Sequence, residues 1–485
     1  MNHSGTARWS FAISFAEKYT LLLLNTAGTM ILARLLTPAE VGVYSVGAVL
    51  VSLAQVLRDF GVGPYVIQEP DLSAGKLRAA LGTSILVAWL LGLLVLLASW
   101  PAAGFYHESR LSTVLQLLSI NFLLIPFSSV TLPYLRRQMR FRAIYAINAT
   151  QCAAQLLCSV AMAMRGYGYL SLVCGALAGT AAALLASLFC RPRGMPWLPG
   201  WRGIRTILRF GSISTAGTVI DEAGVAAPDL IIGKMMGVAE VGIFGKAMGV
   251  LNVFNQLVTS AISPVIFPLF AAQVRDGQDL RQAYLKTISY MTVLAWPFFG
   301  LVALMAPALV RLLYGEQWSA AVPLIRIICI ASALYSMFSM ARYLFVAMGE
   351  IKAQAQLDAL SVPVRIVAVL AAAPFGLEWV AWAAVFGVVI RSALTYSYLA
   401  RYTGISFSGF LSAVRRSALV AIASLSGPVA LLAWQPAAAT HPAIQLMLAG
   451  MVALVAWAAA ILFFQHELAA ECTVAHRKAM ALLGK

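Results

Sequence analysis

The fold class predicted by this sequence is all-α: a polytopic membrane protein with about fourteen transmembrane helices. Three observations predict it. Of 485 residues, 61% are hydrophobic and only 11% charged, whereas a soluble chain carries about 25% charged residues. Apolar runs long enough to cross a hydrocarbon layer about 30 Å thick recur along nearly the whole length. Lysine and arginine concentrate in alternate connections between those runs, which is how cytoplasmic loops of membrane proteins are marked.

Taken in order, the apolar runs place helices at residues 10–36, 41–63, 79–100, 113–135, 144–164, 168–190, 206–233, 241–268, 287–310, 320–347, 354–373, 378–400, 413–434 and 442–464. The first run lacks a small-residue cleavage site and passes directly into ILARLLTPAEVG, so it is read as a retained helix. Connections are short. The longest, near residues 190–206, is rich in Arg, Pro and Trp. No segment is long enough and polar enough to fold as a soluble domain. The last twenty residues, from His466, read as a surface-lying or frayed helix.

Charge orients the chain. A net charge of +16 would point to nucleic acid in a soluble protein, but the placement of the charges excludes that. With the N-terminus in the cytoplasm, 23 of the 34 Lys and Arg fall on the inner side, including Arg136, Arg137, Arg140 and Arg142. Five fall outside (Arg34, Arg110, Arg165, Lys234, Arg311), and six lie within helices. This asymmetry predicts two cytoplasmic termini and an even number of helices.

Several chemistries have no motif here. There is no GxxxxGK[ST] phosphate loop, and HELAAE at His466 lacks the second histidine of a zinc helix. No outer loop carries an Asp-x-Asp pair, and none is large, which speaks against a membrane glycosyltransferase or polymerase. The six cysteines form no metal-type pair and read as packing residues. All five histidines fall in predicted loops or tails. No cofactor, no metal and no enzymatic activity are expected.

The sequence repeats. ILARLLTPAEVGVYSVGAVL from Ile31 aligns without a gap with IIGKMMGVAEVGIFGKAMGV from Ile231. Ala39-Glu40-Val41-Gly42 matches Ala239-Glu240-Val241-Gly242, and Pro64 matches Pro264. Arg142, Asn148 and Gln151 correspond to Lys352, Asp358 and Ser361 at a slightly larger offset. Helices 1–6 therefore resemble helices 7–12, giving a first lobe over 1–200, a second over 201–405, and two appended helices with a tail over 406–485. Six helices return the chain to the same side, so the repeats are parallel. Transporters built this way place the substrate path between the halves.

Polar groups are costly in hydrocarbon, so they face a cavity or each other. The eighth predicted helix carries Asn252, Asn255, Gln256, Thr259 and Ser263 at steps of three or four, one helical face. Its counterpart, the second, carries Ser52, Gln55 and Asp59 at the equivalent positions. The eleventh carries Gln354, Asp358, Ser361 and Arg365, and its counterpart, the fifth, carries Asn148, Gln151, Gln155 and Ser159. Asn25 on the first helix joins this polar set. The cations within helices are Lys18, Arg58, Lys246, Arg326, Arg365 and Arg391; a cavity lined by them suits an anionic substrate such as a diphosphate. The competing reading pairs them locally, as Arg58 with Asp59 or Asp358 with Arg365. Asp221, Glu222 and Asp229 on the seventh helix, with Asp59 on the second, are the candidates for coupling transport to a cation.

These residues resemble a known family. ILARLLTPAEVGVYS, PDLIIGKMMGVAEVGIFGKA and LLYGEQWSAAVPLIRI look like the polysaccharide-transport branch of the multidrug/oligosaccharidyl-lipid/polysaccharide exporter superfamily, that is, Wzx-type flippases. The Asp of the second motif falls on Asp229 and its Gly-Lys on Gly233-Lys234. The resemblance implies two six-helix lobes in a bacterial inner membrane. It implies movement of an undecaprenyl-diphosphate-linked repeat unit to the outer leaflet, with polysaccharide-assembly proteins such as a polymerase as partners. The alternative within the same superfamily is a cation-coupled drug or metabolite antiporter.

Overall fold

The computed structural model describes residues 3–59, 61–192, 194–201, 203–434 and 441–469, with side chains from Lys18 onward except at 206, 209, 210, 212–218 and 221. All regular structure among these residues is helical. In order the helices are α1 (His3–Leu35), α2 (Pro38–Asp59), α3 (Val62–Gln68), α4 (Ala74–Tyr106), α5 (Arg110–Leu124), α6 (Pro126–Ser129), α7 (Thr131–Arg137), α8 (Phe141–Met164), α9 (Tyr169–Phe189) and α10 (Ile204–Met235). They continue as α11 (Val238–Phe254), α12 (Ser260–Arg275), α13 (Leu280–Leu304), α14 (Ala306–Leu313), α15 (Ala321–Ser336), α16 (Ala341–Ala347), α17 (Ile351–Ala372), α18 (Leu377–Thr403), α19 (Phe407–Trp434) and α20 (Pro442–Phe463).

The chain is a multi-pass membrane protein. Among the described residues, eleven helical rods are long and apolar enough to cross a bilayer. The pair formed by α5 with α6–α7, bent by 42°, makes a twelfth. The expected count of fourteen rests on the two remaining long helices, α1 and α10, at 33 and 32 residues. They are the first helix of each sequence repeat, and both are more polar than their neighbours.

Two compact units divide between Gly245 and Lys246, whereas the sequence repeat divides near residue 200. The difference is α10, which packs on α2 and α4. Ser52 on α2 donates to Glu222 Oε1 on α10 at 2.9 Å.

The repeated Ala-Glu-Val-Gly motif now has a physical meaning. In its first copy Thr37 caps α2: its N–H and hydroxyl donate to Glu40 Oε2 at 2.8 and 2.9 Å, and the Glu40 N–H returns to Thr37 Oγ1 at 3.4 Å. That is a capping box, which satisfies orphan donors at both ends of the first turn. In the second copy Gly237, at φ 120°, lies against Glu240 Oε2. The glycines serve a different end, because they meet each other. A Cβ at Gly42 would stand 1.6 Å from the Val238 carbonyl oxygen and 3.2 Å from the Gly242 nitrogen. A Cβ at Gly242 would stand 2.3 Å from the Pro38 carbonyl oxygen and 3.2 Å from the Gly42 nitrogen. Without hydrophobic driving force in lipid, such small-residue crossings are how helix backbones approach closely.

The first unit is built round α8 and α9, with α5, α2 and α1 packed on them. Gly175 and Gly179 on α9 press on Ser159 and Gln155 of α8; a Cβ at Gly175 would stand 1.8 Å from Ser159 Oγ. In the second unit α13 is the hub for α15 and α19, and α18 packs between α15 and α17.

Both second helices of the repeat are interrupted, at neighbouring registers. In the first copy α2 stops at Asp59 and the chain turns through Gly61, at φ 66°, into α3. In the second, α11 passes at Asn255–Thr259 into a π-helical turn before α12. Residues 55–59 and 255–259 are equivalent at the repeat offset. Breaks and π turns inside spans leave backbone and side-chain groups free to meet a ligand.

The tail expected to lie on the surface begins otherwise. Residues 470–485 lie outside the described residues, but His466 is 1% exposed. Its Nδ1 accepts from the Leu468 N–H at 3.2 Å, and its Nε2 lies 3.0 Å from Ser289 Oγ and 3.1 Å from Ser417 Oγ. The imidazole is therefore held neutral with the proton on Nε2. Burial, then the nearby Arg416, pushes its pKa below the ordinary 6.5. Protons bind the unfolded form first, so this docking contributes full stability above pH 6.5 and loses it as pH falls below that value. Hydrogen exchange of residues 464–469 should accelerate between pH 6.5 and 5 in the wild type. In His466→Gln it should lose most of that pH dependence; an unchanged profile would disprove the assignment.

Candidate functional site

A cavity of about 630 Å³ lies wholly within the first unit. Its wall is supplied by α2, α3, α4 through Ser84, α5–α7, α8 and α9. The break between α2 and α3 opens onto it, through Arg58, Asp59, Val62, Gly63 and Pro64. Polar lining comes from Tyr44, Gln55, Ser84, Asn121, Ser128, Ser129, Gln151, Gln155 and Thr180, and cationic lining from Arg58 and Arg136.

The sequence accounts for these placements. Gln151 and Gln155 are four apart on α8 and share a face. Gln55, Arg58 and Asp59 occupy the last turn of α2. Arg58 Nε donates to Asp59 Oδ1 at 3.0 Å, so the acid offsets this cation; the Arg58 side chain is 11% exposed and that of Asp59 68%. Arg136 and Arg137, adjacent on α7, diverge. Arg137 donates to the carbonyls of Val66, Ile67 and Pro70 at 3.2, 3.3 and 3.1 Å, and also to that of Glu69. It thereby satisfies the open C-terminal carbonyls of α3. Arg136 lines the cavity. Ser84 Oγ and Ser129 Oγ lie 2.7 Å apart and tie α4 to the bend between α5 and α7.

Of the six cations expected in one cavity, only Arg58 lines this one. Lys18 is partly buried on α1. The other four belong to the second unit, and each has its own surroundings. Lys246 Nζ lies 5.2 Å from the ring centroids of both Tyr314 and Trp318; Trp318 is fully buried. A caged ammonium of this kind is held by the ring faces, which gives the Tyr and Trp of LLYGEQWSAAVPLIRI a role. Arg326 is exposed, with Nε 3.4 Å from the Ala303 carbonyl oxygen. Arg365 packs against Gly387 of α18. Arg391 Nη2 donates to Asp358 Oδ1 at 2.7 Å and its Nη1 to Ser361 Oγ at 2.8 Å, while Gln354 donates to Asp358 Oδ2 at 2.8 Å. Asp358 thus pairs with Arg391 on the next helix, not with Arg365 on its own.

Of the polar lining predicted from the sequence, Gln55 and Gln151 face the cavity, as does Gln155 of the same stripe. Asn25 is exposed on α1 and accepts from Cys152 Sγ at 3.6 Å. Asn252, Asn255 and Gln256 are exposed around the π turn, where Thr259 Oγ1 donates to Asn255 Oδ1 at 3.2 Å. Among the acids, Glu222 is engaged by Ser52, Asp59 by Arg58, and Asp229 is partly buried on α10. The Asp221 side chain lies outside the described residues. Sequence reasoning missed Asn121, Arg136, Ser129 and Thr180.

Comparison with known proteins decides the family. The family described as "Polysaccharide biosynthesis protein" matches residues 31–323. The chain belongs to this polysaccharide biosynthesis protein family. It is 24% identical over 332 residues to the lipopolysaccharide biosynthesis protein WzxC of Escherichia coli K12, covering 68% of this chain and 67% of that one. It is 23% identical to the teichuronic acid biosynthesis protein TuaB of Bacillus subtilis 168, over 58% of this chain and 59% of that one. It is 25% identical to the succinoglycan biosynthesis transport protein ExoT of Rhizobium meliloti 1021, over 63% and 62%. The aligned part thus spans about three fifths to two thirds of these relatives. In fold, it resembles the lipid II flippase MurJ in an inward closed conformation, with TM-score 0.76 at 12% identity, over 94% of this chain and 99% of that one. It also resembles an inward-facing multidrug transporter of the MATE family of the MOP superfamily, with TM-score 0.63 at 14% identity over 82% and 94%. The polysaccharide biosynthesis family expected from the motifs is borne out, as is the polytopic all-α fold.

Proposed function

We infer that this chain moves an undecaprenyl-diphosphate-linked oligosaccharide repeat unit from the cytoplasmic to the outer leaflet, for exopolysaccharide, capsule or O-antigen assembly. The observation that carries the reading is a polar cavity of about 630 Å³ inside a bundle of membrane helices in a chain of the polysaccharide biosynthesis family. Hydrocarbon-embedded polar walls are maintained only where something polar must pass or bind. The reading includes fourteen spans, both termini in the cytoplasm, and parallel six-helix lobes over 1–200 and 201–405 that alternate access. Residues 406–485 add the last two helices. α1 and α10, polar and repeat-equivalent, suit the lining of a path. A polymerase and other assembly proteins are the expected partners.

The MATE-like fold favours one second reading, a cation-coupled drug or metabolite antiporter, with Glu222 and Asp229 on α10 as coupling groups. A deletion strain separates the two. The flippase reading expects complete lipid-linked repeat units to accumulate on the cytoplasmic leaflet, inaccessible to an impermeant sugar-modifying reagent, with surface polymer lost. An unchanged lipid-linked pool with intact polymer and altered drug resistance would replace it by the antiporter.

A further inference from the structure

We propose that the cavity of the first unit is a saccharide subsite, distinct in chemistry from whatever holds the diphosphate. The proposal rests on the flippase reading and names which part of the substrate this site takes.

The charge of the cavity is wrong for a diphosphate and right for a sugar. Arg58 is offset by Asp59, which leaves Arg136 as the lining cation without an acidic partner among the described residues. Diphosphates are held by several cations or by converging N–H groups. Here the wall is instead amide and hydroxyl: Gln55, Asn121, Gln151 and Gln155 with Ser129 and Thr180. A sugar hydroxyl both donates and accepts, and a carboxamide offers both complements. The volume falls within the range of small-molecule sites, about 300–1,000 Å³.

Asn121 sharpens the assignment. It is 4% exposed on α5, lines the cavity, and its Oδ1 is buried without a hydrogen-bond partner. A buried acceptor left alone is destabilising and calls for a donor. A phosphodiester oxygen only accepts, so with the carboxamide turned this way it cannot fill that role. A sugar hydroxyl or an N-acetyl N–H can. One net positive charge also admits a single acidic group on the glycan.

The test uses the full-length protein in lipid nanodiscs and two probes. One is undecaprenyl diphosphate; the other is the same lipid carrying the host's own repeat unit, extracted from a polymerase-deficient strain. Binding of both is read by native mass spectrometry. In the wild type the glycan-bearing lipid should bind at least about tenfold more tightly than the bare lipid, the scale of one or two buried hydrogen bonds. Asn121→Leu should bring that ratio close to one while leaving the bare lipid unchanged. Gln151→Leu, on the facing helix, should lower the ratio in the same way and guards against misfolding at Asn121. A wild-type ratio of one, or a ratio that neither variant moves, overturns the subsite and leaves the flippase reading standing, with the cavity a water-filled packing defect. Failure to bind either lipid overturns the flippase reading and the subsite together.

Discussion

Replacing Gly42 by alanine is expected to be the most damaging single-methyl change in the first unit. The added carbon would stand 1.6 Å from the carbonyl oxygen of Val238, a backbone atom that cannot rotate away. The two helix starts must separate, and the capping box at Thr37–Glu40 moves with them. Overpacking of this kind costs about 1–3 kcal/mol and sometimes more. The reciprocal change, Gly242→Ala, meets the Pro38 carbonyl oxygen at 2.3 Å and should be nearly as harmful. Because the two glycines relieve each other, the double variant should cost less than the sum of the singles. Gly245→Ala is the control: nothing lies within 4 Å of its added carbon, and alanine is the better helix former by about 1 kcal/mol. Thermal unfolding in detergent, with surface polymer as the functional readout, checks all four. A Gly42→Ala protein with unchanged melting and polymer would show that the crossing is not a fixed contact.

The second large effect is expected at Arg391. Its guanidinium and Asp358 form an ion pair between α18 and α17, with side chains 29% and 16% exposed. Removing one partner of such a pair leaves a charge without compensation, which costs about 3–5 kcal/mol, whereas removing both is often neutral. Arg391→Leu and Asp358→Leu should each lower stability by about that much. Asp358→Leu/Arg391→Leu should return close to the wild type. If the double variant is stable and restores surface polymer, the pair joins α17 to α18 and has no further part. If it is stable but inactive, the pair has a part in transport beyond joining the helices, and Asp358→Asn with Arg391 retained tells whether the cation carries it.

What the sequence made legible followed from periodicity and repetition. Each predicted helix has a counterpart in the structure because apolar length dictates it. The cavity residues found in advance, Gln55, Arg58, Asp59, Gln151 and Gln155, sit on stripes that recur between the repeats. Asn121 was not visible because its nearest polar neighbours, Gln116 and Ser119, stand five and two residues before it, off the three-or-four-residue step that puts side chains on one helical face. Arg136 was counted with the cytoplasmic loops because it ends an apolar run; it stands beyond the 42° bend of that span and lines the cavity. The partner of Asp358 was misread for a related reason. Spacing along α17 offers Arg365, but the contact that forms is between helices, and one helix's periodicity says nothing about its neighbour. The glycines of Ala-Glu-Val-Gly marked the repeat without showing that they touch.

The π turn at Asn255–Thr259 alters how positions on this rod are to be counted. An i→i+5 closure absorbs one residue more than an α turn, so everything downstream lags by roughly 100° of rotation. Ser263, which an α-helical wheel puts in line with Asn252 and Asn255, is displaced to a different face. Spin labels or cysteine pairs chosen on a uniform wheel would report spurious distances beyond residue 259. Deleting a single residue inside the turn would restore the α register and swing α12, with Pro264 and Pro268, onto a new azimuth. The first repeat has no such vernier: its residues 55–59 are the last α-helical turn of α2, and the helix ends there and restarts at Val62. Two stretches of similar sequence thus measure angle differently.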